Sequence, residues 1–224
     1  MTSNTYYKFM LKTKVKASAV TNLTDARYFA AWEVEWLSFN LDTGAADYIP
    51  PANMEAIREW VDGVKILGEF NLQATDEILG AVDMLKLDAV QVGMFADLQT
   101  LKALHEAEVP VIQEMVVQDL SELDAIATQM KANEDQVRYF VLDFAKNNLK
   151  WTDIQANAQE QLRELCEEFP ILLSADFPAG QVEEVLETTA AAGISVRGGE
   201  EEKVGYKSFD ELDDLFEALE TFEE

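Results

Sequence analysis

Along the chain, short runs of continuous apolar residues alternate with longer stretches in which apolar positions recur every three or four residues. The short runs predict buried strands at Lys14–Ala19, Trp36–Asn40, Lys65–Phe70, Ala89–Val92, Val111–Val116, Tyr139–Phe144, Ile171–Ser174 and Ile194–Arg197. The longer stretches predict helices at Leu23–Trp32, Asn53–Val61, Thr75–Met84, Leu98–His105, Leu120–Lys131, Thr152–Phe169, Gln181–Ala191 and Phe209–Phe222. Capping residues support several starts: Thr21 or Asn22 before the first helix, Thr75 at the third and Ser208 at the last. In the acidic C-terminal stretch, Leu212, Leu215, Phe216, Leu219 and Phe222 keep helical spacing, so it reads as a terminal helix and not as a free tail. Strict alternation of strand and helix, one unit per about 25–30 residues, implies parallel strands. Eight such units predict an α/β protein of one domain, residues 1–224, folded as a closed (β/α)8 TIM barrel. An open doubly wound sheet would carry a glycine-rich phosphate turn after its first strand, and Ala17-Ser18-Ala19-Val20-Thr21 has none.

Composition narrows the picture. With 224 residues and 48% hydrophobic content the chain can bury a sizeable core. No apolar run approaches the ~18 residues of a membrane span, and Met1 to Lys8 lacks a signal-peptide pattern, so a cytoplasmic protein is expected. The net charge of −26 argues against nucleic acid and anionic lipid as partners. It also repels phosphorylated small molecules at long range unless local N–H groups compensate, and it suits a solvated surface or high salt. The single cysteine, Cys166, lies on a predicted helix as a packed thiol; the single histidine, His105, reads as a helix-terminal or surface residue.

The stretch Val15-Lys16-Ala17-Ser18-Ala19-Val20-Thr21-Asn22-Leu23-Thr24-Asp25-Ala26 resembles the opening motif of the phosphoribosylanthranilate isomerase family, V-K-I-C-G-I-T-N-x-x-D-A. Trp36-Leu37-Ser38-Phe39 is similar to that family's second strand. Leu87-Asp88-Ala89-Val90-Gln91-Val92-Gly93 is similar to L-D-x-V-Q-L-H-G with one residue absent where the His would be. Phe140-Val141-Leu142-Asp143 resembles the sixth-strand L-L-D motif, and Gly193-Ile194-Ser195-Val196-Arg197-Gly198-Gly199-Glu200-Glu201 aligns with G-V-D-V-S-S-G-V-E. Gly205 and Lys207 fit the P-G-x-K that follows. The resemblance runs from Val15 to the last helix and implies the same barrel.

It also implies an activity: an Amadori rearrangement that opens an aminoaldose ring and moves a proton from C2. Such chemistry needs a general acid and a general base. The resemblance assigns the acid to Asp143 and the base to the position of Ser18, where the family has Cys. A serine hydroxyl is too weakly acidic to serve unaided. Further departures concern binding. The family's S-P-R-x becomes Gly44-Ala45-Ala46-Asp47-Tyr48-Ile49, without the Arg that contacts the anthranilate. Its A-G-G-L becomes Ser174-Ala175-Asp176-Phe177, and its G-G-T-G becomes Ala145-Lys146-Asn147-Asn148-Leu149-Lys150. Gly198 and Gly199 remain, either as an N–H nest for an anion beside Arg197 or as a flexible turn before the surface acids Glu200-Glu201-Glu202, which would oppose phosphate. Lys16 and Gln91 complete the candidate ligand contacts; Lys16 and Ser18 share the interior face of the first strand, with Asp143 or Glu114 expected to pair the lysine.

Carboxylates at strand ends (Glu69, Glu114, Asp143, Asp176) lack recognised ligand spacing, so no metal and no cofactor are expected. Replacing the base alone is worth ~10²–10⁴ in rate. The sequence therefore points to a barrel that kept the fold and lost the isomerase activity, and that binds a ligand, with a phosphorylated small molecule as the candidate, or a partner. The alternatives are an active isomerase with Asp143 as acid and a substituted base, or a different small-molecule enzyme at the same mouth, using Asp143, Lys16 or Arg197.

Overall fold

The structure is a computed structural model that describes residues 8–178, 180–198, 201–203, 206–207 and 209–223. The chain runs β1 (Lys8–Leu11), β2 (Lys14–Ser18), α1 (Leu23–Ala31), β3 (Trp36–Asn40), α2 (Pro51–Arg58), β4 (Lys65–Phe70), α3 (Thr75–Leu85), β5 (Ala89–Val92), α4 (Leu98–Glu106) and β6 (Val111–Val116). It continues with α5 (Leu123–Asn133), β7 (Tyr139–Asp143), α6 (Ala156–Glu168), β8 (Ile171–Ser174), α7 (Val182–Thr189), β9 (Gly193–Arg197), β10 (Glu201–Lys203), β11 (Tyr206–Lys207), α8 (Asp210–Leu219) and β12 (Glu220–Glu223). Strands β2 to β9 form a closed parallel barrel, with β2 paired to β3 on one side and β9 on the other.

Local chemistry explains the element starts. The Asn22 side chain accepts a hydrogen bond from the Asp25 N–H at 2.9 Å, capping α1. Asp97 caps α4 in the same way, through the Thr100 N–H at 2.7 Å. Pro51 opens α2, where its missing N–H costs nothing. Closure of the ring depends on Gly193: a Cβ there would lie 2.1 Å from the Lys14 carbonyl oxygen, so only glycine lets β9 approach β2.

Two apolar layers follow from strand alternation. Outward residues such as Val15, Leu37, Ile66, Val90, Met115, Phe140, Leu173 and Ile194 pack under the helices. Inside the barrel, Trp36, Leu67, Ala89, Ile112, Val141 and Leu172 form a separate apolar floor, with Trp36 edge-on to Tyr139. Helix α8 docks on α1 through aromatic side chains: Phe216 stacks on Trp32 with ring centroids 5.1 Å apart, and Phe209 stacks on Tyr28 at 4.0 Å.

The predicted eighth helix extends too far. It ends at Leu219, and residues 220–223 turn into β12, which pairs antiparallel with β1 beneath the barrel, Phe9 opposite Phe222. Helical spacing of Phe222 with Leu219 was compatible with either state. The sixth helix begins at Ala156, not Thr152, because Trp151–Asp153 form a 3-10 turn first. Ser208 lies outside the described residues; Phe209 occupies the position before α8.

Candidate functional site at the barrel mouth

The site begins with a change of chemistry along each barrel strand. Two residues beyond the apolar floor, the inward face becomes polar: Ser38 follows Trp36, Glu69 follows Leu67, Gln91 follows Ala89, Glu114 follows Ile112, Asp143 follows Val141 and Ser174 follows Leu172. On the two strands that close the ring, Lys16, Ser18 and Ser195 continue this layer. The C-terminal ends of barrel strands are where this architecture carries chemistry.

Lys16 is the anchor of the layer. Only 1% of it is exposed. Its Nζ donates to Ser18 Oγ at 2.6 Å and to Glu69 Oε1 at 2.8 Å. Ser38 Oγ donates to the same Glu69 oxygen, and Ser18 Oγ shares a 2.8 Å hydrogen bond with Ser195 Oγ. Burial would by itself raise the Glu69 carboxyl, but the charge and hydrogen bond of Lys16, the Ser38 hydroxyl and the charge of Lys146 hold it below its ordinary value. Glu69 is thus the partner of Lys16, in place of the Asp143 or Glu114 expected. The reason is reach: Glu69 sits two strands away on the same wall, while the other two carboxylates are engaged across the mouth.

That second engagement centres on Lys146, in the 3-10 turn Ala145–Asn147 after β7. Its backbone N–H donates to Asp143 Oδ1 at 2.8 Å, and its ammonium pairs with Glu114. Burial pushes the Glu114 carboxyl up, the nearby Glu69 charge adds to this, and Lys146 opposes it only in part. Gln91, 4% exposed, lies on the neighbouring strand β5 in register with Glu69, and its Oε1 meets no hydrogen-bond donor among the described residues.

Arg197 ends β9 in register with Ser18 and is exposed. Gly198 follows it; a Cβ there would press on the Asp25 carboxylate at 3.0 Å, so the backbone passes close to that acid. Gly199 lies outside the described residues. Ser174, Asp176, Arg197, Gly198, Asp210 and Glu211 line part of a pocket of about 740 Å³ between β8, β9 and the start of α8. On the opposite rim Asp47 accepts a hydrogen bond from Asn40 Nδ2 at 2.9 Å, so this acid is tied to the end of β3.

The structure therefore unites Lys16, Ser18 and Glu69 in one network, places Asp143 in a second, and puts Arg197 and Gly198 at the pocket. Ser38, Ser174 and Ser195 escaped sequence reasoning, although each is a polar residue at an inward position of an otherwise apolar strand. Among the described residues no group of three or more His, Cys, Asp or Glu is placed to hold a metal ion. Among the described residues no helix is long and apolar enough to cross a membrane.

An eight-stranded parallel barrel with a polar mouth defines the class: a single-domain (β/α)8 barrel. Within that class, residues 15–218 match the family model for N-(5'-phosphoribosyl)anthranilate (PRA) isomerase, and the chain belongs to that family. Among solved structures it resembles the phosphoribosyl anthranilate isomerase of Thermotoga maritima (TM-score 0.73, 18% identity, 92% of this chain and 98% of that one). It is also similar to the enzyme of Thermus thermophilus (TM-score 0.70, 22% identity, the same coverage). A thiamine phosphate pyrophosphorylase of Pyrococcus furiosus is similar at a TM-score of 0.56 and 17% identity, over 93% of this chain and 98% of that one. At these identities the likeness speaks for the fold. No curated protein matches by sequence.

Proposed function

We propose that this member of the PRA isomerase family keeps the barrel but does not catalyse the family's aldose–ketose isomerisation, and that its mouth serves to bind a small molecule. One observation carries the reading: the residue at the position of the family's base is a serine whose oxygen accepts a hydrogen bond from an ammonium group. Taking the C2 proton needs a group with a free basic lone pair near working pH. A serine and lysine can form a base dyad, but only with a neutral amine. Here Lys16 is held in an ion pair with Glu69, whose lowered carboxyl keeps the negative charge that the ammonium answers. The remaining contact of Ser18 is another hydroxyl, that of Ser195.

The alternative is an active isomerase in which Asp143 is the acid and Glu114 replaces the base. What favours it is the presence of two carboxyl groups on adjacent strands, β6 and β7, one of them raised above its ordinary value by burial. Following the fluorescence of freshly generated phosphoribosylanthranilate separates the two. The proposed reading expects no turnover above the rate without protein. Turnover that disappears in Asp143→Asn would overturn it, and loss in Glu114→Gln as well would establish the alternative.

A further inference from the structure

Three large apolar side chains at the rim of the barrel mouth face water. Leu72 is 73% exposed, Phe95 74% and Leu98 43%. Leu72 follows β4, Phe95 follows β5 and Leu98 opens α4, so all three stand at the C-terminal ends of two paired strands. The two loops lie against each other. A Cβ on Gly93 would meet Asn71 Oδ1 at 2.7 Å, and Thr75 Oγ1 and Thr100 Oγ1 share a hydrogen bond of 2.9 Å. Both loops are also tied to their neighbours: Gln73 Nε2 donates to the Leu41 carbonyl at 3.3 Å, and Gln129 Nε2 donates to the Met94 carbonyl. Anchored backbone therefore holds the three side chains out on one rim. A single exposed leucine needs no explanation, but a group of large apolar residues on adjacent loops is the mark of an interaction surface.

The charge around this rim is one-sided. Asp76 and Glu77 lie in the first turn of α3, and Asp97 caps α4. None of the three pairs with a Lys or Arg among the described residues. Between Asn71 and Leu101 the chain has one cation, Lys86, at the far end of α3; Lys102 follows one turn down α4. A second copy of the chain is a poor occupant, because a contact of rim on rim would set these acids against themselves, between molecules that each carry −26. Anionic lipid is repelled for the same reason. A lysine or arginine side chain suits the rim on both counts: its hydrocarbon stem covers apolar surface while its charged head reaches an acid.

We infer that the rim formed by Leu72, Phe95 and Leu98 docks a basic segment of a partner protein, in which lysine or arginine stands beside bulky apolar residues. The apolar residues cover Leu72 and Phe95, and the cations meet Asp76, Glu77 and Asp97. The docking surface is separate from the polar layer inside the mouth and holds whether or not that layer is catalytic.

The test is calorimetric titration of the intact chain with an amphipathic helical peptide of leucine and lysine. Two counterparts serve as probes: one with glutamate for lysine, and one with serine for leucine. Saturable binding of the leucine–lysine peptide is expected, with none of the leucine–glutamate peptide and at least about 10-fold weaker binding of the serine–lysine peptide. The double substitution Leu72→Ser with Phe95→Ser should weaken the first by about 10-fold or more and leave the weak serine–lysine binding unchanged. Both side chains are exposed, so the thermal midpoint should hold and misfolding cannot imitate the loss. Trp60→Ser, 66% exposed after α2 at the other end of the barrel, should change nothing. Binding that ignores the double substitution, or equal binding of the serine–lysine peptide, would reduce the effect to overall charge and overturn the inference. Self-association of the chain that the double substitution abolishes would also overturn it, by giving the rim to a second copy.

Discussion

The Lys16 ammonium lies 2.8 Å from the Glu69 carboxylate, two strands away on the interior wall of the barrel. Both groups are removed from water, so each is tolerable only because of the other. Lys16→Met should cost about 3–5 kcal/mol by leaving the carboxylate uncompensated. The double variant with Glu69→Met should lose much less than the sum of the two single losses. Urea unfolding of the four proteins checks this, and additive losses would show that the two residues do not act as a pair.

Glu69 and Glu114 should impose opposite pH dependences. The folded-state value of Glu69 lies below the ordinary 4.5, so its contribution is present above that value and lost as pH falls through the lowered one. The folded-state value of Glu114 is raised above 4.5, so the folded protein binds more proton there, and stability falls as pH rises from 4.5 through the raised value. Relative to the parent chain, Glu114→Gln should therefore gain stability as pH rises across that interval. Urea midpoints measured across the acid range test the sign; a difference that does not change with pH would refute it.

Cys166 should be inert in the folded protein. Burial pushes its thiol up to about 12, with no cation opposing it. An ordinary thiol, with a pKa of about 8.5, reacts readily with a chromogenic disulfide in mildly alkaline buffer. The native chain is expected to react orders of magnitude more slowly, and the urea-unfolded chain at the ordinary rate. Fast labelling without denaturant would place the thiol nearer the surface than described.

Gly193→Ala should be among the most damaging single-atom additions in the chain. The new carbon would overlap the Lys14 carbonyl at the seam where β9 meets β2. Overpacking typically costs 1–3 kcal/mol, and here the obstacle is backbone, so a loss of about 3 kcal/mol or more is expected. Gly80→Ala, where nothing lies within 4 Å, is the control and should be neutral or slightly stabilising. Thermal unfolding of both variants decides.

The barrel was legible because apolar runs and helical periods are local signals that burial imposes on every parallel strand. The predicted strand at Ala89–Val92 matches β5 residue for residue, and Val111–Val116 matches β6. The ribbon of β1 and β12 was not legible, since its pairing joins residues far apart in sequence, and Phe222 suits a helix face or a strand face equally. At the mouth, the inward orientation of Lys16 and Ser18 followed from alternation, and the network they form confirms it. The partner of Lys16 did not follow, because which of several acids a long side chain reaches depends on strand neighbours and on competing lysines. Lys146 is the competitor that took Glu114, and it does so from a loop whose path no periodicity announces.

The seam between β2 and β9 also bears on how the chain is made. These two strands come from opposite ends of the sequence, and beneath them β1 and β12 pair residues still further apart. Until the last strand arrives, a growing or partly refolded chain presents β2 and β8 as open edges, each a template for a neighbouring molecule. Ring closure is thus a late event of long sequence separation, the kind that slows folding. The strong negative charge acquires a kinetic use in that interval, because it keeps unfinished chains apart while their edges are exposed.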